Sequence, residues 1–260
     1  SVGISAGFVK DSDDNTVEEL EASDKVWTFT TRGKFSQSIS FSEISEKTYG
    51  DAVFTLGDAK TDEDLVITYT AADATIVSIS GNKATILKAG TTKITASQEG
   101  DATRFAATSV EQSLTVNKAE ITITADAKSK VYGATDPDLT YEITSGSLET
   151  DDEFSGSLSR ATGETVGDYA ISSTLANSNY NITFVPADFT ITEKAITITA
   201  DAKSKVYGAT DPALTYEIIS GSLETGDELS GSLSRATGET VGEYAISSTL
   251  ANANYNITFV

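Results

Sequence analysis

The sequence contains itself twice. Residues 121–185 and 196–260 agree except at six positions, with a period of 75, so that Tyr132 recurs as Tyr207 and Phe184 as Phe259. The differences are Asp138 to Ala213, Thr144 to Ile219, Asp151 to Gly226, Phe154 to Leu229, Asp168 to Glu243 and Ser178 to Ala253. A solenoid unit has a period of roughly 20–50 residues, whereas 75 residues suit one small autonomous domain. The repeat therefore predicts domains strung in tandem, each with its own core. Duplication also bears on function: a catalytic domain gains nothing from an unchanged neighbour, while a spacer gains length with every copy. The first copy runs on through residues 186–194 (PADFTITEK), with a predicted last strand at 189–192, and the second stops at Val260 before any such strand. With no methionine in the chain, this predicts a fragment of a longer protein.

Within each copy the apolar period is two. Ile121 and Ile123 alternate with threonines. Leu139, Tyr141 and Ile143 alternate with Thr140, Glu142 and Thr144, and Tyr180, Ile182 and Phe184 with Asn181 and Thr183. Tyr169 and Ile171 follow Gly167, and Phe189 and Ile191 close the unit. Such segments read as half-buried antiparallel strands with aromatic and β-branched residues facing inward. Turn signals separate them at Tyr132-Gly133, Asp136-Pro137, Ser145-Gly146-Ser147 and Thr162-Gly163-Glu164. No stretch sustains helical spacing over three turns. Residues 35–117 show the same period in a different sequence: Ile39 and Phe41, then Leu65, Ile67 and Tyr69, Val77 and Ile79, Ile94 and Ala96, and Leu114 and Val116. Gly81-Asn82 between Ile79 and Ile86 predicts a hairpin turn. The fold class expected is all-β: tandem small antiparallel β-sandwich (Ig-like) domains in an extended array. The predicted boundaries are 1–34, an N-terminal segment read as the tail of a preceding domain; 35–117; 118–193; and 194–260, the last lacking its final strand. Linkers are predicted at Asn117-Lys118-Ala119 and Thr192-Glu193-Lys194-Ala195.

The charge excludes several partners. Eighteen Lys and Arg stand against 39 Asp and Glu, a net charge of −21. Such a chain is repelled by a polyphosphate backbone and by anionic lipid, so neither nucleic acid nor a membrane surface is an expected partner. No apolar run approaches the roughly 20 residues of a membrane helix. There is no cysteine, hence no disulfide framework, and no histidine, so the commonest general base and the usual zinc ligands are missing.

The chemistry left to test is carboxylate chemistry. Asp151, Asp152 and Glu153 are the candidates for a paired-carboxylate hydrolase, but Asp151 is replaced by Gly226 in the second copy, and the run reads as a solvated loop. Asp11, Asp13 and Asn15 begin like a calcium loop; Thr16 and Ala22 then stand where glycine and glutamate belong, and an acidic loop is the simpler reading. Asp136 and Asp211, each before a proline, offer either junction calcium or an Asx-type turn, of which the turn is preferred. Asn181-Ile182-Thr183 and Asn256-Ile257-Thr258 match the glycosylation sequon, yet fall inside predicted strands and read as outward asparagines. Trp27 and the tyrosines could form a sugar-stacking platform, but the repeated aromatics lie on the inward period. Catalytic, cofactor-binding and metal-binding residues are therefore all expected to be none, with calcium the one cofactor considered, and no enzyme activity is expected.

Several segments carry a family resemblance. Lys47-Thr48-Tyr49-Gly50-Asp51, Leu65-Val66-Ile67-Thr68-Tyr69 and Ala89-Gly90-Thr91-Thr92-Lys93-Ile94-Thr95-Ala96 resemble bacterial Ig-like domains. The repeats resemble the MBG modules found in tandem in very large bacterial surface proteins, through Tyr132-Gly133, Gly146-Ser147-Leu148, Ser155-Gly156, Leu158, Arg160, Gly163-Glu164, Val166-Gly167, Tyr169, Asn179-Tyr180, Ile182, Phe184 and Phe189-Thr190-Ile191. The same positions recur 75 residues later, apart from the last strand. What the resemblance implies is a stalk or spacer segment of a secreted, extracellular bacterial cell-surface protein, an adhesin, holding a distal binding domain away from the envelope. The competing expectation is a module that grips a glycan or a protein multivalently through its repeats. The partners expected are the neighbouring domains of the same chain, or a glycan or surface ligand, with the chain itself a monomer.

Overall fold

The computed structural model describes residues 33–57, 59–62 and 64–260. Every regular element among them is a β-strand. The first unit contains β1 (Ile39–Ser40), β2 (Lys47–Thr48), β3 (Phe54–Thr55), β4 (Lys60–Thr61), β5 (Thr68–Ala71), β6 (Val77–Ser80), β7 (Lys83–Ile86), β8 (Gly90–Ser97) and β9 (Val110–Asn117). The second has β10 (Ala119–Ala125), β11 (Lys128–Val131), β12 (Tyr141–Ser145), β13 (Leu158–Arg160), β14 (Gly167–Ser173), β15 (Tyr180–Val185) and β16 (Asp188–Thr192). The third has β17 (Lys194–Ala200), β18 (Tyr216–Ser220), β19 (Leu233–Arg235), β20 (Ile246–Ser248) and β21 (Tyr255–Phe259).

In the second unit a three-stranded sheet, β12-β10-β15, faces a four-stranded sheet, β11-β16-β14-β13. The period-2 pattern builds the layer between them. Ile121, Ile123 and Ala125 share the buried face of β10, where Ala125 meets Ile171 of β14 and Phe189 and Ile191 of β16, all six nearly inaccessible to solvent. Burying six such side chains at about 25 cal/mol per Å² of apolar surface is the main term holding the two sheets together. The all-β, sandwich-like expectation holds.

Pairing departs from the purely antiparallel expectation, because the sheets are mixed. β10 runs parallel to β15 and β11 parallel to β16, and β17 runs parallel to β21. The first strands of a unit lie beside its last, and the rest of the unit supplies the long crossover that parallel strands require. A second departure concerns Tyr141 and Ile143. The strand β12 forms, but all five of its residues are exposed, because it is the edge of its sheet. Tyr141 packs edge-on against Phe154 there.

The first unit repeats this plan from an unrelated sequence. Its four-stranded sheet has the order β2-β9-β8-β5, with β2 parallel to β9 and the other two pairs antiparallel. That is the plan of β11-β16-β14-β13. Ser80 pairs with Lys83 across Gly81-Asn82, giving the expected two-residue hairpin. Among the described residues no strand ladder crosses from one unit to the next. Single residues, Lys118 and Glu193, separate β9 from β10 and β16 from β17.

Candidate functional site: the junction between units

Equivalent residues recur with similar geometry where one unit meets the next. At the end of the first unit, the Tyr49 amide donates to the Asn117 carbonyl at 2.9 Å, and in the second unit the Tyr132 amide donates to the Thr192 carbonyl at 2.8 Å. In each case the last strand of a unit fixes the position of a Tyr-Gly turn. That turn presents its tyrosine to a second tyrosine at the start of a strand in the following unit. Tyr49 meets Tyr180 with ring centres 5.6 Å apart at 81°, and Tyr132 meets Tyr255 at 5.5 Å and 73°. Edge-to-face pairs of this kind add roughly 0.5–1.5 kcal/mol beyond their buried area. Tyr180 and Tyr255 are buried, and Tyr132 packs on the cores of both its own unit and the next.

Hydrogen bonds complete each junction. The Ala89 amide donates to Asn179 Oδ1 at 3.1 Å, and the Val166 amide donates to Asn254 Oδ1 at 3.1 Å. Ala89 and Val166 each precede the glycine that opens β8 or β14, the corresponding strands of the two plans. Asn179 and Asn254 are fixed by their own turns, their amides donating to Asn177 and Asn252 Oδ1 at 2.9 Å. The buried tyrosines are anchored likewise. Tyr180 donates to Asp152 at 2.7 Å and accepts from the Glu149 amide at 2.8 Å. Tyr255 donates to Asp227 at 2.6 Å and accepts from the Glu224 amide at 2.7 Å.

Burial pushes the Tyr180 and Tyr255 hydroxyls up to about 12, with Asp152 and Asp227 acting in the same direction. Tyr49 and Tyr132 are also raised, first by burial and then by the same two carboxylates. One carboxylate thus serves two tyrosines at each junction. The turn glycines meet a geometric demand. Gly133 has a φ of +81°, and a Cβ there would fall 2.2 Å from Glu224 of the next unit. Gly50 has a φ of +90° and lies against Glu149 in the same way. At the second junction Lys194 adds an ion pair to Glu224 at 2.5 Å.

The carboxylates singled out from sequence have structural partners. Asp152 is a tyrosine acceptor in the junction, which corrects its reading as part of a solvated loop. Asp151 has a φ of +69°, and its counterpart Gly226 has +94°, so this position needs a left-handed backbone that glycine adopts more easily. Asp136 takes part in an ion cluster and not the preferred Asx turn. Arg160 Nε donates to it at 2.6 Å and Lys130 lies 2.7 Å away, while both cations also reach Glu164 at 2.5 Å. Asp211, Arg235, Lys205 and Glu239 repeat the cluster in the third unit. The arginine and lysine hold Asp136 and Asp211 down to about 2. The Arg160 guanidinium lies over Phe189, 4.9 Å from the ring centre, and over Tyr169 at 5.3 Å, so the cluster also braces the core.

Among the described residues no group of three or more acidic side chains is arranged to hold a metal ion. Asn181 faces outward in β15 and donates to Glu120; Asn256 is likewise exposed in β21. Asp11, Asp13, Asn15 and Trp27 lie outside the described residues. Sequence reasoning took Tyr-Gly for a turn and did not connect the pairs Tyr49-Gly50, Tyr132-Gly133 and Tyr207-Gly208 with Ala89-Gly90, Val166-Gly167 and Val241-Gly242. Their shared order in all three units was the available signal.

A chain of small β-sandwich units joined through one residue and one recurring interface is a tandem modular array. The MBG domain family (YGX type) matches residues 121–190 and 196–260. The chain belongs to that family. No curated protein matches it.

Proposed function

We propose that the chain is a spacer segment, part of the stalk of a large secreted protein on a bacterial cell surface, and that its work is to hold a distal binding domain at a distance. The observation that carries this reading is the junction made twice from equivalent residues, Tyr49 with Tyr180 and Tyr132 with Tyr255. A heterologous interface that does not close on itself generates an open array. A linker residue spans at most about 3.5 Å, so Lys118 and Glu193 leave little slack, and the packed tyrosines oppose bending. The high negative charge keeps neighbouring stalks apart.

Small-angle X-ray scattering of the chain tests this. The expected result is a rod-like profile that persists from low to high salt. A broad distribution of interunit angles would overturn the rod. Saturable binding of the chain to a glycan or matrix-protein array would instead favour the adhesive module.

A further inference from the structure

Two of the chain's three prolines follow an aspartate. Pro137 follows Asp136 and Pro212 follows Asp211, 75 residues on, whereas Pro186 follows Val185. Both Asp-Pro bonds lie in the exposed loop that precedes β12 or β18, within reach of water. An aspartyl-prolyl bond is weak in acid for two reasons. The aspartate carboxyl can close a five-membered ring on its own main-chain carbonyl carbon, an intramolecular attack with a high effective concentration. The proline nitrogen carries no hydrogen, and it leaves as a secondary amine.

The ion clusters bear directly on that chemistry. Arg160 Nε donates to Asp136 Oδ2 at 2.6 Å, while Arg160 Nη2 at 3.2 Å and Lys130 Nζ at 2.7 Å hold Oδ1. In the third unit Arg235 Nε donates to Asp211 Oδ2 at 2.7 Å, while Arg235 Nη2 at 3.2 Å and Lys205 Nζ at 2.5 Å hold Oδ1. Glu164 and Glu239 bind the same cations from the turn before β14 and its counterpart. Both oxygens of each aspartate are therefore taken by charge-assisted bonds. The same contacts hold the two carboxyls down to about 2, so at pH 3 they stay ionised where a free aspartate is largely protonated.

We propose that Asp136-Pro137 and Asp211-Pro212 are self-cleaving peptide bonds, and that the arginine and lysine of each cluster are the guard that keeps them closed while the unit is folded. When the cluster is undone in acid, a carboxyl oxygen of the aspartate attacks the aspartate's own main-chain carbonyl carbon, and a C–O bond forms. The C–N bond to proline breaks, its electron pair stays on nitrogen, and nitrogen takes the carboxyl proton. The product is a five-membered cyclic anhydride, which one water molecule opens to leave the aspartate as a new C-terminus. The balance is hydrolysis of one peptide bond. While the cluster holds, the carboxylate has neither a free oxygen to attack with nor a proton to give. The site does not depend on the spacer reading, since it is the chemistry of two peptide bonds and not of stiffness. For a repeat array it means scission at 75-residue intervals on acid unfolding.

The test holds the intact chain at the lowest pH at which circular dichroism reports the native strands, with and without guanidinium chloride, and weighs the fragments by mass spectrometry. The unfolded chain is expected to give residues 1–136, 137–211 and 212–260, and the folded chain to be cut about tenfold or more slowly at both bonds. Arg160→Gln should speed the first cut about tenfold over the second, whose cluster is intact, with amide protection in β10 and β15 unchanged. Asp136→Glu, which would need a larger ring, should abolish the first cut even in the unfolded chain. Equal rates for folded and unfolded chain, equal cutting of the two bonds in Arg160→Gln, or a first cut that persists in Asp136→Glu would each overturn the proposal. The comparison of folded with unfolded chain uses the parent alone, so it decides even where a variant loses its fold.

Discussion

At the second junction Tyr132 packs on the cores of both neighbouring units, so truncating it affects two bodies at once. Tyr132→Ala should cost about 1–3 kcal/mol, from the lost ring pair and the incompletely filled space. Its counterpart Tyr207 is 74% exposed, so Tyr207→Ala should fall within about 0.5 kcal/mol of the parent. Urea unfolding of the two variants side by side checks the contrast; equal effects would show that the junction contributes nothing. Asp151 gives a second residue-scale prediction. Its left-handed backbone costs a non-glycine residue up to roughly 1–2 kcal/mol, less for aspartate. Asp151→Gly should therefore raise the melting temperature, and Gly226→Asp should lower it.

At the scale of elements, the ion cluster ties β11 and β13 to the turn before β12 in the second unit, and in the third it ties Lys205 and β19 to the turn before β18. Asp136 and Asp211 are held down to about 2 by their arginine and lysine partners, below the 3.8 of the free group. Their stabilisation is complete above about pH 4 and is lost as pH falls through about 2. The tyrosines respond at the opposite end. Tyr180 and Tyr255 are raised to about 12 by burial, which favours the neutral phenol in the folded chain. That contribution is present below pH 10 and disappears as pH rises through 12. Circular dichroism across pH 1–5, comparing the parent with an Asp136→Asn, Asp211→Asn variant, should show the parent losing more stability as acid is added. Phe189 illustrates dependence on a single strand. It is fully buried in β16, and Phe189→Ala should cost about 3–5 kcal/mol, read from the loss of protection in β11 and β14.

At the scale of the whole molecule, cooperation between units depends on the linkers remaining short. Inserting a flexible Gly-Ser stretch of about ten residues at Lys118 should leave each unit folded but uncouple the first from the second. Thermal unfolding should then resolve an additional transition, and scattering should report a more compact, variable shape. An unchanged profile would mean that the tyrosine junction holds without the tether. The junction being heterologous, the same contacts extend the array with a single polarity.

The sequence by itself determined the units and the character of their strands. The 75-residue period separated the repeats, and alternation in segments such as 121–125 identified which side chains go inward, because a strand turns successive residues to opposite faces. It also determined what the surface repels, through charge. Tertiary structure decided the rest. Alternation in 139–144 is as regular as elsewhere, yet β12 is an exposed edge, since which strand lies at the edge depends on pairing between distant segments. Parallel pairing of β10 with β15 was equally invisible, because period two is the same in either direction. The kinship of the first unit with the repeats lies in strand order, which unrelated residues can satisfy. Asp152 and Tyr180 lie 28 positions apart, and Tyr49 lies over a hundred before Asp152. Only the folded chain brings that carboxylate to both rings, because the junction is a property of two surfaces and neither unit's local pattern encodes the other.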